Sequence, residues 1–180
     1  MKTHMGIQCA VAGLSLVLGI GTAVAQDTTS DDKKFIAASA QGSLADINLA
    51  KLALQKTGDA NVKRFASKMV KDHGTLITSM KPLIKKYDVK LETGPSLMDK
   101  ARYQELKLKS GISFDRAYVE AMVKVHNADL KKFIDERNST SNADVKEAVS
   151  KGEVVIREHT QMIDDIAKQG GIDVPPMPGL

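Results

Sequence analysis

Apolar residues return at three- and four-residue steps along most of this chain, which is the spacing of one face of an α-helix. Phe35, Ala38, Gly42, Ala45, Leu49 and Leu52 or Ala53 form the first such stripe. Ser30-Asp31-Asp32 supplies a start and Gly58 a stop, so a helix is expected over 31–57. Asp59 can cap a second helix, 59–87, whose stripe carries Val62, Phe65, Met69, His73, Leu76, Met80 and Leu83. Pro82 should kink it near its end, because proline lacks the amide hydrogen and crowds the preceding turn. Residues 88–95 contain Thr93-Gly94-Pro95 and read as a crossing loop. Ser96-Leu97-Met98-Asp99 resembles a capping box with Asp in place of Glu, opening a short helix near 97–110. Ser113 is expected to cap a third long helix, 113–137, with Phe114, Tyr118, Met122, His126, Leu130 and Phe133 inward. After a polar turn at Asn138–Asn142, a fourth runs over 142–168 with Val145, Ile156, His159, Met162 and Ile163 inward.

No stretch alternates with period two over a useful length, so neither a sheet nor an outer-membrane barrel is expected. Short turns join the first helix to the second and the third to the fourth, while a longer segment joins the second to the third. The fold class is therefore all-α. The architecture is a ferritin-like antiparallel four-helix bundle with a short extra helix in the crossover between helices two and three.

The two ends differ from the helical part. Lys2 and His4, the apolar run Ala10 to Ile20 and the small-x-small site Ala23-Val24-Ala25 together read as a signal peptide, 1–25. The apolar run is shorter than the ~20 residues a spanning helix needs, and the mature chain carries no transmembrane segment. The bundle domain is expected over 26–169. A Pro- and Gly-rich tail, 170–180, cannot be helical and either lies along the bundle or stays loose. The expected location is the periplasm.

Removing the signal leaves 155 of the 180 residues, about one domain, and takes away the only cysteine, Cys9. No disulfide or thiol chemistry is then available. The formal charge of +4 falls by one, to +3, with the loss of Lys2. Lysines are spread among acids along every helix, which suits a solvated surface and excludes the clustered basic face of a nucleic-acid binder. There is no Trp for base stacking.

Three histidines remain in the mature chain, each on the apolar face of a different helix: His73, His126 and His159. Antiparallel packing can bring all three to one depth. Three imidazoles with an open position suit Zn, and added thioethers from Met69, Met122 or Met162 would favour Cu(I). The competing reading makes them structural, each hydrogen-bonded to a neighbour such as Tyr118, Asp46 or Asp115. A di-iron centre is not expected, because it needs Glu-x-x-His pairs. Here Val70, Val123 and Ile156 stand three residues before the histidines, and the first helix offers only Asp46 as an interior acid. Asp72 and Glu158, each preceding a histidine, are expected to pair with Arg64, Arg116 or Arg157 across a helix boundary. Asp115-Arg116 reads as a helix-start acid plus an interhelical ion pair. No nucleophile elbow or glycine-rich phosphate loop supports hydrolase or nucleotide chemistry.

The strings Phe35-Ile36-Ala37-Ala38-Ser39-Ala40-Gln41-Gly42, Phe65-Ala66-Ser67-Lys68-Met69-Val70-Lys71-Asp72-His73 and Phe114-Asp115-Arg116-Ala117-Tyr118-Val119 resemble the bacterial domain of unknown function family 4142. Its members are exported, belong to the ferritin-like group and are often described as outer-membrane proteins. The resemblance spans nearly all of residues 32–168 and implies a four-helix fold, with no established reaction. Two readings follow: a non-enzymatic envelope or stress-associated module with an unidentified protein or envelope partner and no cofactor, or a periplasmic metal-binding bundle using the histidine layer for Zn or Cu.

Overall fold

A computed structural model describes residues 27–179; the expected signal segment 1–25 lies outside the described residues. Among the described residues five helices follow one another: α1 (Ser30–Lys56), α2 (Ala60–Lys86), α3 (Leu97–Lys107), α4 (Gly111–Ser139) and α5 (Ala143–Gln169). No strand occurs among the described residues, and no helix there is long and apolar enough to cross a membrane.

Local chemistry sets the helix starts. Thr29 caps α1 one residue ahead of the expected Ser30, its Oγ1 accepting from the Asp32 amide at 3.0 Å while Asp32 accepts the Thr29 amide at 2.8 Å. Asp59 accepts from the amides of Asn61 and Val62 to open α2, and Asn142 accepts from Val145 to open α5. Ser96 caps α3 through the Asp99 amide, but its own hydroxyl donates to the Asp99 carboxylate, so the reciprocal half of a capping box is absent. The expected Ser113 cap is corrected: α4 begins at Gly111 after Ser110, and the Ser113 hydroxyl donates to the Ser110 carbonyl. Gly111 has φ +56°, a conformation glycine adopts without Cβ strain, and this turns the chain directly from α3 into α4. Pro82 lies inside α2, which continues to Lys86.

α1 with α2 and α4 with α5 form two hairpins. Asn61 near the start of α2 meets Gln169 at the end of α5, and Lys86 at the end of α2 meets Asp144 at the start of α5, so these helices are antiparallel. Asp32 at the start of α1 meets Glu136 and Thr140 at the end of α4, so that pair is antiparallel too. In chain order the four long helices run up, down, down and up. The segment 87–110 must therefore travel the bundle's length, which is the connectivity of ferritin-like bundles.

The apolar faces match the expected stripes except in the first half of α1. There Ile36, Ala40, Ser43 and Asp46 are buried, while Phe35 and Gly42 are half-buried and Ala38 is exposed. Small and apolar residues lie all round this part of α1, so no polar contrast marked its inner face. The buried side chains form two clusters. One gathers Phe65, Met69, Phe114, Tyr118, Met122 and Ile163, and the other Ile36, Leu76, Leu130, Phe133, Val145 and Ile156. On α2, α4 and α5 alike, one histidine stands between the residues of the two clusters. The tail returns along α5, with Ile172 and Val174 against the first cluster and Met177 against the second. Arg157 holds it by donating to the Pro178 carbonyl at 3.2 Å.

Candidate metal centre

His73, His126 and His159 are 1%, 0% and 0% exposed and lie at one level of the bundle. Their ring centroids stand 5.3 Å (His73 to His159), 5.7 Å (His126 to His159) and 6.0 Å (His73 to His126) apart. One ligand nitrogen from each lies within 4.8 Å of the other two. Phe65 packs its ring edge-to-face beside His126 and His159, with interplanar angles of 72° and 74° and centroids at 5.8 and 6.1 Å. The wall on that side is apolar, and dispersion contacts hold the two rings in place.

Each imidazole has one nitrogen in a hydrogen bond and one outside any. His126 Nδ1 lies 3.1 Å from the Met122 carbonyl, which only accepts, so Nδ1 carries the hydrogen and Nε2 the lone pair. His159 Nε2 lies 3.0 Å from Asp72 Oδ2. Burial works to raise the Asp72 carboxyl, but hydrogen bonds from Lys68 and His159 outweigh it and hold it below the usual range. A carboxylate accepts, so His159 donates from Nε2 and keeps its lone pair on Nδ1. His73 Nδ1 meets the Ser43 hydroxyl at 3.2 Å. The nitrogens left without a hydrogen-bond partner are His73 Nε2, His126 Nε2 and His159 Nδ1.

The electrostatics keep the rings neutral. Burial pushes His126 down to about 3, and the neighbouring His159 adds to the shift. Burial likewise lowers His73 well below the usual imidazole range, and it lowers His159 despite the opposing pull of Asp72. Neutral imidazoles at pH 7 present lone pairs, the protonation state a metal ligand requires. Asp46 sits 3.8 Å from His73 Nε2, its carboxyl raised well above the usual range by burial and then by the charge of Asp129.

The structure thus brings the three expected histidines together. Met69 and Met122 are fully buried in the adjoining cluster, and Met162 is partly buried against it. Several expected partners are corrected. Asp72 and Glu158 pair with Lys68, at 2.8 and 3.2 Å, rather than with arginines. Arg64 donates to Asn61, and Arg157 pairs with Glu153 one turn away. Arg116 pairs with Glu120 on its own helix, so the ion pair proposed for Asp115-Arg116 is not interhelical. The Tyr118 hydroxyl and Asp115 Oδ1 are buried with no hydrogen-bond partner among the described residues and do not serve the histidines. Sequence reasoning missed Ser43 and Asp72 as the groups that orient His73 and His159. Lys68, four residues before Asp72, was the available signal for a paired, half-buried carboxylate on that face.

The sequence pattern of the family described as domain of unknown function (DUF4142) matches residues 20–166. The chain belongs to this family. No curated protein matches it. Among solved structures, a DUF305 fragment from Deinococcus radiodurans is similar with a TM-score of 0.71 at 12% identity, over 80% of this chain and 99% of that one. CopM in its Cu(I)-bound form is similar with a TM-score of 0.64 at 17% identity, over 77% of this chain and 96% of that one. A candidate spore coat protein from Bacillus halodurans C-125 gives 0.65 at 12% identity, over 84% and 94%. At these identities the likeness concerns the fold, a helical bundle.

Proposed function

We propose that this family member is a metal-binding bundle that holds one Cu(I) ion between His73, His126 and His159, and that it acts in the periplasm without catalysing a reaction. The observation that carries this reading is the set of three buried imidazole nitrogens with no hydrogen-bond partner among the described residues. A buried unsatisfied polar atom costs about 1–3 kcal/mol, and three of them gathered at one level favour a shared ligand over a purely structural network. The opposite nitrogens are held by Ser43, Met122 and Asp72. Such outer partners orient metal-binding imidazoles and fix their tautomers. A trigonal set with bonds of ~2.0–2.1 Å needs nitrogens ~3.5 Å apart, and one nitrogen of each ring already lies within 4.8 Å of the other two, so small movements of the rings would close the set.

Copper(I) is preferred to zinc on charge. All three ligands are neutral, and burying a monovalent ion among them costs less than burying a divalent one. The likeness to CopM, described in a Cu(I)-bound form, agrees with this choice. Export rests on residues 1–25, and intact mass of protein from a periplasmic extract, starting near Gln26, tests it.

Titrating Cu(I) and Zn(II) into metal-free protein while following Tm tests the site. A ligand at about 100 times its Kd stabilises by about 2.7 kcal/mol, so Tm should climb with free Cu(I) and cease to respond in His126→Ala. No shift in the parent, or an undiminished shift in the variant, would overturn the site. A larger shift with Zn(II) would overturn the choice of copper.

A further inference from the structure

The three histidines are sealed from solvent, so an ion must have a way in. The two seams between the hairpins differ. Between α2 and α5, Lys68 bridges Asp72 and Glu158, and these ion pairs close the seam around the Asp72–His159 hydrogen bond. Between α1 and α4 a cleft of about 360 Å³ runs inward from a rim at the start of α3, with Ser43, Asp46 and His73 in its lining. That volume has room for on the order of ten waters, ample for a partly hydrated ion. It exists because α1 presents Ala38, Ser39 and Gly42 there, and a Cβ added at Gly42 would meet nothing within 4 Å. His126 and His159 do not line the cleft; His73 does, and its Nε2 has no hydrogen-bond partner.

We infer that this cleft is the passage by which the cation reaches the layer, with His73 as the first ligand met and His126 and His159 completing the set. The inference rests on the metal-binding reading and adds a direction of access to it. The rim is not a block of bare positive charge. Of the three cations in the lining, Arg102 is paired with Asp99 at 3.1 Å and Lys132 with Asp129 at 2.8 Å, which leaves Lys124, exposed on α4, as the third.

The test uses the full chain carrying Cys9→Ser and Gly42→Cys, folded first and then capped at the new thiol with either iodoacetamide or a bulky pyrene maleimide. Cu(I) is delivered from its bicinchoninate complex, and stopped-flow absorbance gives the loading rate. With the bulky cap, entry needs the helices to part, so loading should slow by about tenfold or more. The Tm rise after long incubation with Cu(I) should equal that of the small-capped protein. The same bulky cap on Val154→Cys, at an exposed position of α5, should leave the rate unchanged. Equal rates for the two caps at position 42, or equal slowing from position 154, would overturn the passage while leaving the copper site standing. Absence of any Cu(I) stabilisation in the parent would overturn the site, and the passage with it. Should the cap at 42 lower equilibrium binding itself, the same comparison at Ala38→Cys, one turn away on the exposed rim, decides.

Discussion

Neutral, buried imidazoles make the metal-free fold sensitive to acid in a way that one substitution can isolate. His126 is the cleanest case, fully buried and held down to about 3. In the unfolded chain it titrates near 6.5. Between those two values the unfolded state binds a proton that the folded state refuses, so the His126 contribution to stability is present above about 6.5 and is lost as pH falls toward 3. From pH 7 to pH 5 the loss amounts to about 2 kcal/mol for this residue alone. The figure changes little as long as the folded value stays below about 4. His73 and His159 act in the same direction. Buried carboxyls act in the other. Burial, and then the hydrogen bond and charge of Asp32, raise Glu136 to about 7, and burial raises Asp46 well above its usual range. Both take up protons in the folded chain first, so acid favours the fold through them. The total pH dependence therefore mixes signs, and the informative quantity is the difference between parent and His126→Leu. Urea melts of both metal-free proteins at pH 7 and pH 5 measure it. The parent should lose about 2 kcal/mol more over that interval than the variant. Equal losses would refute the argument, because they would mean that the folded protein accepts a proton on His126 as readily as the unfolded chain does.

Three further outcomes are expected. Gly152→Ala should destabilise although alanine favours helices by about 0.8–1.0 kcal/mol, because its Cβ would fall 2.4 Å from Phe133 Cε1 and overpacking costs about 1–3 kcal/mol. Gly74→Ala meets nothing within 4 Å and should stabilise by up to about 1 kcal/mol, so urea melts that rank the two variants the other way would count against this packing. Phe65→Ala should cost about 3–5 kcal/mol, and a loss below ~0.5 kcal/mol would contradict its complete burial. Asp72→Asn should weaken Cu(I) affinity about 10–100-fold in competition titrations by loosening His159, and unchanged affinity would remove Asp72 from the site.

The helices were legible because α2 and α5 separate apolar from polar faces sharply, and Asp59 and Asn142 mark their starts with side chains that accept first-turn amides. α1 was legible as a helix but not in its rotation. Phe35, Ala38 and Gly42 looked inward, yet Ile36, Ala40 and Ser43 are buried, because small residues surround that half of the helix and leave the burial to its neighbours. The histidine layer could be read helix by helix, since each imidazole shares a face with Phe65, Tyr118 or Ile163. Which nitrogen faces which partner could not. That depends on how one hairpin is turned against the other, and no spacing along a single helix records it. Asp72 shows the point. It is about 100° round α2 from His73, yet it meets His159 across the α2–α5 seam.

The long link between the hairpins has a consequence for how such a protein diversifies. Residues 87–110 connect two hairpins that each close locally, and they contribute no histidine to the layer. Val89 and Leu106 are anchored in the two core clusters, but residues 90–95 between them are exposed, and doubling the length of a flexible connection costs only about 0.6 kcal/mol in closure entropy, so insertions in that stretch disturb the rest of the molecule little. Ser96, Met98, Asp99 and Arg102, all on that link, form part of the cleft rim. The rim's shape and charge can therefore drift from one descendant to the next while the histidines and the helices that hold them stay as they are. On the proposed reading, the entrance to the cleft and the three ligands are thus written largely in separate stretches of one gene.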